Sequence, residues 1–430
     1  MAASMDKALV VVGIVVSLNL VSFIGTYFSS FNEKLKYRLL IVQLYLMVQS
    51  VLFFIARYVW IRVCPTLFRS TSSLERVLMM IVAAILVLGQ FSWFSGVILA
   101  GEEPHLFTLI TYTCLGITLL MASTIFLVDL LWWILSCLRV PIASHLHRSS
   151  KTRFKILLIL AISASLTLYG LQNASRSPTI NRLSIPIKNL PMEFKGFTIL
   201  QLSDLHVGIT VGKTKLEEIV KTCNELKPDV IVVTGDLVDA TVYQIRQAVK
   251  PLLRLKAKYG LYYVTGNHEY YTGDVDAWIK ELEFLGVHVL HNSHITIQHP
   301  KNPTAMLCIA GVDDYDGGIF RYGEHGVQLD KALAGLKPHT ATILLAHQPK
   351  VAKKALQAYP NIGLVLCGHT HSGQIIPIHL YHYILQPYFS GLHRHERGSY
   401  VYVNTGTFFW GMPMRVFSSS EIAYISLIPT

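Results

Sequence analysis

The stretch Val230-Ile-Val-Val-Thr-Gly-Asp-Leu-Val-Asp239 indicates the fold of the second half of this 430-residue chain. Its first five residues are apolar or β-branched, as in a buried strand, and Gly-Asp follows where that strand should end. Similar runs at 197–202 and 261–264 also end in polar residues, and segments of helical spacing lie between the runs. This alternation predicts an α/β domain whose chemistry lies beyond the carboxyl ends of its strands.

Polar motifs that contain Asp, Asn or His follow five of the predicted strands. A single motif of this kind is more often a turn or a structural pair than a metal site, but five in order at strand ends indicate one metal centre. In chain order, the motifs are Asp204-Leu-His206, Gly235-Asp-Leu-Val-Asp239, Gly266-Asn-His-Glu269, Ala346-His347 and Gly368-His-Thr-His371.

The spacing within two motifs predicts which residues act together. Residues i and i+2 of an extended segment point to the same side. We therefore expect Asp204 and His206 to close on one ion. His369 and His371 repeat this spacing, so we expect the same of them. A mixture of carboxylate, amide and imidazole ligands suits Mn²⁺, Fe or Zn²⁺ better than Mg²⁺ or Ca²⁺.

The ordered series of motifs resembles that of the calcineurin-like metallophosphoesterases, and the resemblance covers residues 195–430. It implies an α/β/β/α sandwich that holds two divalent metal ions between its central sheets. Whether these are Mn, Fe or Zn stays open. The implied ligands are Asp204, His206 and His371 for the first ion, Asp236 as a bridge, and Asn267, His347 and His369 for the second.

The resemblance also implies two catalytic residues that bind no metal ion. His268 resembles the histidine that protonates the leaving alkoxide in this family, and Asp239 resembles the carboxylate that orients its ring. Such acid catalysis typically contributes about 10²–10⁴-fold. The alternative for His268 is a hydrogen-bonding role within the turn. Thr265 stands where the Ser/Thr protein phosphatases of the superfamily carry Arg, so protein phosphatase activity is disfavoured.

An apolar loop near the C-terminus, Phe408-Phe-Trp-Gly-Met-Pro-Met414, is punctuated by glycine and proline, and Arg415 follows it. One interpretation is core packing against a terminal strand. The other is an apolar wall beside the substrate, with Arg415 as a substrate contact that faces a phosphate. The sequence does not choose between these two interpretations.

The first half of the chain, residues 1–171, is predicted to be a multi-span α-helical membrane region. Crossing a hydrocarbon core of roughly 30 Å takes about 20 apolar residues, and runs near this length recur. The predicted helices are 8–28, 39–56, 77–100, 107–138 and 156–171. The last is the shortest, and whether it spans decides on which side the second half emerges. Residues 172–194 are predicted to be a linker.

Basic residues at helix ends predict the orientation, because they concentrate on the cytosolic side of membranes. The segment Arg139–Lys155 holds five basic residues, whereas the loop Gly101–His105 holds two acidic residues and no Lys or Arg. Lys34, Lys36 and Arg38 disagree with this orientation. With five spans, the domain lies on the lumenal or extracellular side. Without the fifth span, it stays cytosolic.

Composition excludes several other classes of protein. Charged residues are 15 % of the chain and hydrophobic residues 52 %, against about 25 % charged in soluble domains. A disordered or fibrous protein is therefore excluded. Six cysteines without a Cys-x-x-Cys pair exclude a disulfide-dense scaffold and a zinc knuckle. Most of the +11 net charge flanks the apolar runs of residues 1–171, so no nucleic-acid partner is expected.

These features predict a membrane-tethered, metal-dependent hydrolase of phosphate esters. The stretch Gly368–Gln374 and the later Asn404-Thr-Gly-Thr407 resemble the membrane-associated branch of the family, which acts on lipid or other phosphoesters. Phosphodiesters of lipid or glycolipid type are thus the expected substrates, and a phospholipid bilayer is the expected partner. The alternative is a catalytically silent membrane receptor or transporter, for which Asp129 is a candidate intramembrane charge.

Overall fold

The computed structural model describes residues 7–68, 72–138, 148–337, 339–395 and 397–430. Its first part is a bundle of apolar helices. Their bounds are α1 Lys7–Tyr27, α2 Glu33–Phe68, α3 Ser73–Gln90, α4 Ser92–Leu99, α5 Leu106–Cys137 and α6 Arg148–Ser175. Among the described residues, four helical segments are long and apolar enough to cross a membrane: Leu35–Phe68, Ser73–Gln90, Leu106–Cys137 and Ser150–Ser175. Helix α1 contributes a shorter apolar stretch, Gly13–Tyr27.

The shortest predicted helix, 156–171, lies inside the longer helix α6. Helix α6 has 28 residues, which is about 42 Å at the helical rise. That length exceeds the roughly 30 Å of a hydrocarbon core. Basic residues extend the helix at its first end, where their long side chains can reach the headgroup region. Length is therefore no obstacle to a span at this position.

The predicted helix 77–100 is divided in the structure at Phe91. The Ser92 hydroxyl donates to the Gly89 carbonyl at 2.9 Å, and the Ser95 hydroxyl donates to the Ser92 carbonyl at 2.8 Å. Hydrogen bonds from serine hydroxyls to backbone carbonyls, and neighbouring glycine and serine residues, commonly bend helices. The bend separates α3 from α4, which is a correction to the single helix that the uninterrupted apolar run predicts.

The second part of the chain forms two sheets. The strands are β1 Thr179–Ile187, β2 Thr198–Leu202, β3 Val230–Thr234, β4 Leu261–Val264, β5 His288–Val289, β6 Ser293–His299, β7 Asn302–Gly311, β8 Ala341–Leu345, β9 Ile362–Cys367, β10 Gly391–Arg394, β11 Tyr400–Val403 and β12 Glu421–Pro429. Within the described residues, the strand orders are β1-β12-β2-β3-β4-β5 and β10-β11-β9-β8-β7-β6. Strands β2 to β5 are parallel, and so are β7, β8, β9 and β11.

Eight helices accompany the two sheets in the described residues. They are α7 Lys213–Leu226, α8 Val242–Val249, α9 Asn267–Tyr271, α10 Val275–Phe284, α11 Tyr315–Ile319, α12 Leu329–Ala332, α13 Pro349–Ala358 and α14 Ile378–Leu385. Those that pack on the outer sheet faces are α7, α8, α10, α12 and α13. One apolar core lies between the sheets and joins Val232 of β3 to Ile343 of β8. A second core joins the first sheet to α7, α8 and α10, and a third joins the second sheet to α13. This layering confirms the predicted α/β/β/α sandwich.

The predicted linker 172–194 is instead largely ordered secondary structure. Helix α6 continues to Ser175, and strand β1 occupies Thr179–Ile187 and pairs with β12 in parallel. Because the partner strand lies at the far end of the chain, this pairing leaves no local signal in the sequence. Only residues 176–178 separate the last membrane-region helix from the sandwich, so the connection between them is short.

The sandwich contacts three neighbouring ends of the helical bundle. The Tyr37 hydroxyl near the start of α2 donates to the carbonyl of Tyr270. The backbone N–H of Lys213 donates to the carbonyl of Glu102, in the loop between α4 and α5, at 3.0 Å. Near the end of α6, the carbonyl of Gly170 accepts from the N–H of Arg415 at 2.9 Å. These three ends therefore lie on the same side of the bundle as the sandwich.

Candidate metal centre

The predicted metal ligands converge at one edge of the sandwich, where strands of both sheets end. Parallel strands place their carboxyl ends at a common edge, so motifs that are distant in sequence meet there. His369 is half-buried, and the other ligand candidates are buried. The candidates follow β2 (Asp204, His206), β3 (Asp236), β4 (Asn267), β8 (His347) and β9 (His369, His371).

Three of these residues form a first group. The Nε2 atoms of His206 and His371 are 2.9 Å apart, and Nε2 of His371 is 3.3 Å from Oδ1 of Asp204. One ligand atom from each residue lies within 4.8 Å of the others. This is the set that the family resemblance implies for the first ion.

A second group lies beside the first. Asp236, His347 and His369 bring their ligand atoms within 4.8 Å of one another. Oδ1 of Asn267 is 3.1 Å from Nε2 of His347 and 2.9 Å from Nδ1 of His369. Oδ2 of Asp236 is 3.1 Å from Nε2 of His347 and 3.8 Å from Nε2 of His206, so this carboxylate lies between the two groups.

The spacing argument is wrong for one of the two pairs. Asp204 and His206 do share a group, but His369 belongs to the second group and His371 to the first. The i, i+2 rule holds for an extended backbone, but the residues of both pairs have positive φ values, so the rule explains neither outcome. His369 and His371 have φ values of 74° and 49°. The chain turns tightly here, so the two imidazoles point to different groups.

Left-handed backbone conformations recur among the ligands. Asp204, His206 and Asp236 have φ values of 55°, 46° and 49°, which cost residues with a Cβ atom of order 1 kcal/mol or more. Gly235 precedes Asp236 with a φ of 84°, and a Cβ atom there would lie 2.6 Å from Nδ1 of His347. The strand ends are therefore shaped to bring the ligands together, and backbone strain at such positions is typical of functional sites.

His268 and Asp239 form a pair at the edge of the ligand groups. Nδ1 of His268 is 2.7 Å from Oδ1 of Asp239, which leaves Nε2 as the ring nitrogen available to a substrate. The same Asp239 oxygen is 2.9 Å from Nδ1 of His206. Burial lowers the pKa of His268, but the negative charges of Asp236 and Asp239 outweigh burial and raise it to about 9. The ring is thus suited to donate a proton.

Glu269 has a supporting role that the sequence motif alone does not reveal. Its buried carboxylate accepts hydrogen bonds from the backbone N–H groups of Asp236, Leu237, Val238 and Gly266, at 2.6–3.1 Å. Burial and the negative charge of Asp236 raise the pKa of this carboxyl group. Glu269 therefore ties the turn after β3 to the turn after β4 and so positions both ligand groups.

The structure favours core packing for the loop and contradicts the other interpretation, in which Arg415 contacts the substrate. Arg415 is fully buried, and its guanidinium donates to the carbonyls of Thr405 at 2.8 Å and Ser419 at 3.0 Å. It also donates to the carbonyl of Phe408. One guanidinium nitrogen lies 3.3 Å from Nδ1 of His371, on the side away from Asp204. Arg415 thus holds the apolar loop in place and supports the metal-ligand candidate His371, because the loop folds inward over the guanidinium.

Further side chains complete the cleft over the ligands: Trp410 comes from the apolar loop for which a substrate wall was one interpretation, whereas sequence reasoning missed Tyr271, Ile378 and His382. The cleft has a volume of about 410 Å³, and Tyr271, Ile378, His382 and Trp410 line it with the ligands. The Trp410 ring is 5.5 Å from the His268 ring. Gln374 fixes this loop, since it donates to the Trp410 carbonyl at 2.9 Å and accepts from the Trp410 N–H at 2.7 Å. The only sequence signal for this role of Gln374 is its position at the end of the stretch Gly368–Gln374.

Comparison with known proteins identifies the family. The calcineurin-like phosphoesterase family matches residues 197–373. A "Transmembrane protein with metallophosphoesterase domain" from Bos taurus is 39 % identical over 395 residues, which cover 90 % of this chain and 89 % of that protein. The chain belongs to the calcineurin-like phosphoesterase family.

Relatives of this phosphoesterase share more than the sandwich. A protein of the same name from Danio rerio is 39 % identical over 389 residues, 90 % of this chain and 89 % of that one. A putative metallophosphoesterase from Caenorhabditis elegans is 33 % identical over 351 residues, 80 % of this chain and 72 % of that one. Alignments of this length extend through most of the helical region as well.

The residues of this phosphoesterase fit a divalent metal centre. Two neighbouring groups combine carboxylate, amide and imidazole donors, the mixture that Mn²⁺, Fe and Zn²⁺ accept. Asp239 lies behind His206 and orients it, as carboxylates commonly do for histidine ligands. Family membership implies a phosphoester hydrolase.

Proposed function

We propose that this protein is a membrane-integral phosphodiesterase that uses two divalent metal ions to cleave lipid or glycolipid phosphodiesters. The observation that carries the proposal is the packing of the site's own loops on the membrane-region helices. The Tyr45 hydroxyl of α2 donates to the carbonyl of Tyr271 at 3.0 Å. The Ser123 hydroxyl, midway along α5, donates to the carbonyl of Ile376 at 3.2 Å. The cleft therefore lies beside the helices rather than at a distance from them.

Helix α14 supports the proposal from the other side of the cleft. It follows Ile376, and Leu380, Tyr383 and Ile384 are 62–70 % exposed. An exposed helix with so much apolar surface is unusual on a domain surrounded by water. A short apolar helix rich in tyrosine is suited to the boundary between headgroups and acyl chains. Its His382 and Tyr381 line the metal cleft, so the same helix touches both the site and the proposed bilayer surface.

The side chains of the site have different roles in the proposed hydrolysis. Bound by the two ligand groups, divalent ions would supply Lewis-acid chemistry to phosphoryl oxygens and to water. Nε2 of His268 would donate a proton to the oxygen that leaves phosphorus. Asp239 holds Nδ1 of that ring and stabilises its charged form. Glu269 keeps Asp236 and His268 in position through the backbone of their turns.

The alternative, a silent receptor or transporter, has less support. Asp129 is the intramembrane charge that could serve transport, but the structure pairs it with Arg62 and Lys155. Each implied ligand position carries a ligand-type side chain, and the side chains converge. A protein that had lost catalysis would have no need of this arrangement.

Activity of the purified full-length chain in phosphatidylcholine nanodiscs tests the proposal. With Mn²⁺, Fe²⁺ or Zn²⁺ added singly, we expect hydrolysis of phospholipid or glycolipid phosphodiesters that a chelator abolishes. Bis-(p-nitrophenyl) phosphate and dinucleotides serve as water-soluble comparison substrates, followed by phosphate or nitrophenol release. A metal-loaded protein that binds lipid but cleaves none of these esters would favour the silent receptor.

Topology is a separate prediction, since it decides which lipids the site can meet. The basic residues Arg62, Arg76 and Lys155 lie at the helix ends opposite the sandwich, and the positive-inside rule assigns those ends to the cytosol. We therefore expect the catalytic domain on the lumenal or extracellular side. A tag after Thr430 should react with a membrane-impermeant reagent only from that side. Labelling after selective permeabilisation of the plasma membrane, with internal membranes sealed, would place the domain in the cytosol.

A further inference from the structure

An apolar pocket separates the sandwich from the membrane-region helices. It has a volume of about 220 Å³, and Tyr45 and Leu52 of α2, Trp93 of α4 and Leu115 of α5 form one wall. The opposite wall consists of Ile378 and Trp410 from the sandwich. The volume is below the roughly 300 Å³ of a pocket that encloses a whole small ligand. The pocket can therefore hold part of a larger apolar molecule.

The pocket and the metal cleft are adjacent and share four lining residues, one of which is His268. His268, Tyr271, Ile378 and Trp410 line both cavities. Beyond them the cleft is lined by metal-ligand side chains, whereas the pocket continues between mainly apolar side chains. His268 thus stands at the boundary between the cleft that holds the metal ligands and an apolar pocket built largely by membrane-region helices.

One edge of the pocket reaches the outer surface of the bundle. Val97 of α4 lines the pocket and is 56 % exposed, and the neighbouring Ile98 is 72 % exposed. Exposed apolar side chains on such a helix are expected to face acyl chains. Val97 therefore belongs both to the pocket and to the outer surface of the bundle.

We propose that this pocket binds the lipid portion of the substrate, so that the enzyme breaks the phosphorus–oxygen bond on the lipid side. The inference rests on the proposed phosphodiesterase function. A phosphodiester has two ester oxygens, and the one that faces the general acid is the one that leaves. His268 lines the pocket as well as the cleft, so an apolar group bound in the pocket would place its own ester oxygen next to the general acid.

The reaction balances as a hydrolysis. The oxygen of a water molecule bonds to phosphorus, and the bond between phosphorus and the lipid oxygen breaks. The electron pair of that bond goes to the lipid oxygen, which takes the proton from Nε2 of His268. The products are a lipid alcohol and a phosphorylated headgroup. A proton from the attacking water restores the protonated histidine through solvent.

Product analysis tests which bond is broken. Nanodisc-embedded enzyme in ¹⁸O-labelled water should convert a phosphodiester lipid into diacylglycerol and a phosphorylated headgroup that carries the label. Phosphatidate with the label, together with the free headgroup alcohol, would overturn the inference while leaving the phosphodiesterase function intact. Cleavage of aryl diesters without cleavage of any lipid would overturn the proposed function itself, and the inference with it.

A matched pair of variants tests the pocket. Val97→Trp fills its outer edge, and Ile98→Trp places the same ring next to it, outside the pocket. We expect Val97→Trp to lower the ratio of lipid to aryl diester hydrolysis about 10-fold or more, the range over which apolar pockets discriminate. Ile98→Trp should leave this ratio unchanged. Equal ratios in the two variants would overturn the assignment of the pocket.

Photolabelling gives a readout that needs no turnover. A phosphodiester lipid with a diazirine in its acyl chain is added to the chelator-treated, full-length protein and irradiated, and the labelled peptides are mapped by mass spectrometry. We expect labels on the pocket segments of α2, α4 and α5, reduced in Val97→Trp but not in Ile98→Trp. Labels that spread evenly over the bundle, and that neither variant changes, would contradict the pocket.

Discussion

Asp236→Asn is expected to abolish binding of both metal ions and nearly all phosphoester hydrolysis. Oδ2 of Asp236 lies 3.1 Å from His347 in one ligand group and 3.8 Å from His206 in the other. Asn removes the negative charge that both groups share and replaces one carboxylate oxygen by an NH2 group, which cannot bind a cation. Metal content by inductively coupled plasma mass spectrometry and lipid diester hydrolysis should fall together.

Asp276→Asn is a suitable control for this variant. Asp276 is an exposed carboxylate of the same domain that accepts from the Tyr322 hydroxyl at 2.9 Å, away from the ligand groups. It should retain both ions and full activity. Two tightly bound ions in Asp236→Asn would rule out the bridging role of Asp236. Loss of a single ion would assign Asp236 to one group only.

The alternating core of the domain could be predicted from sequence because it depends on local patterns. Strands β3 and β4 match the predicted runs 230–234 and 261–264, and β2 begins within one residue of its prediction. Parallel buried strands are continuous apolar runs, which are easily recognised in the sequence. The polar residue that ends each run must lie at the ligand edge, so the motifs could be found without knowledge of the tertiary structure.

Features that depend on distant contacts could not be predicted in this way. Strand β1 pairs with the last strand of the chain, so the polar segment that contains it resembled a linker. The division of His369 and His371 between two groups depends on the tight turn of the chain at this motif, which the spacing of the residues does not encode. Arg415 resembled a phosphate contact because its loop is apolar, but the loop folds inward and the carbonyls of that loop occupy its guanidinium.

The packing of the membrane-region helices on the sandwich also depends on contacts between residues that are far apart in the sequence. The sequence predicts apolar runs of membrane length, but not that α2, α4 and α5 approach the site. The contact of Tyr45 with Tyr271 joins residues that are 226 positions apart. An apolar pocket that ends at His268 exists only because these distant segments meet. The proposal that this pocket binds the lipid portion of the substrate therefore depends on the structure and could not come from the sequence.

His268→Ala should reduce hydrolysis of alkyl phosphodiesters about 10²–10⁴-fold, the usual contribution of a general acid. Nitrophenyl diesters should lose far less, because nitrophenolate leaves phosphorus without a proton. A lipid alkoxide is a poor leaving group, so lipid substrates should behave like the alkyl diesters. The measurement is log kcat/KM plotted against the pKa of the leaving alcohol for a series of diesters. The slope of this plot should be steeper in the variant than in the unmodified enzyme.

Metal content distinguishes a proton donor from a positioning residue. His268 contacts Asp239, and Asp239 also contacts the ligand His206, so an Asp239 variant would disturb both functions at once. His268→Ala removes the proton donor and leaves the bond between Asp239 and His206 in place. His291→Ala is the matched control, because His291 pairs with Asp313 in a His/Asp cluster outside the site. Equal losses for alkyl and aryl esters, with both ions retained, would mean that His268 positions the substrate and that the leaving oxygen obtains its proton elsewhere.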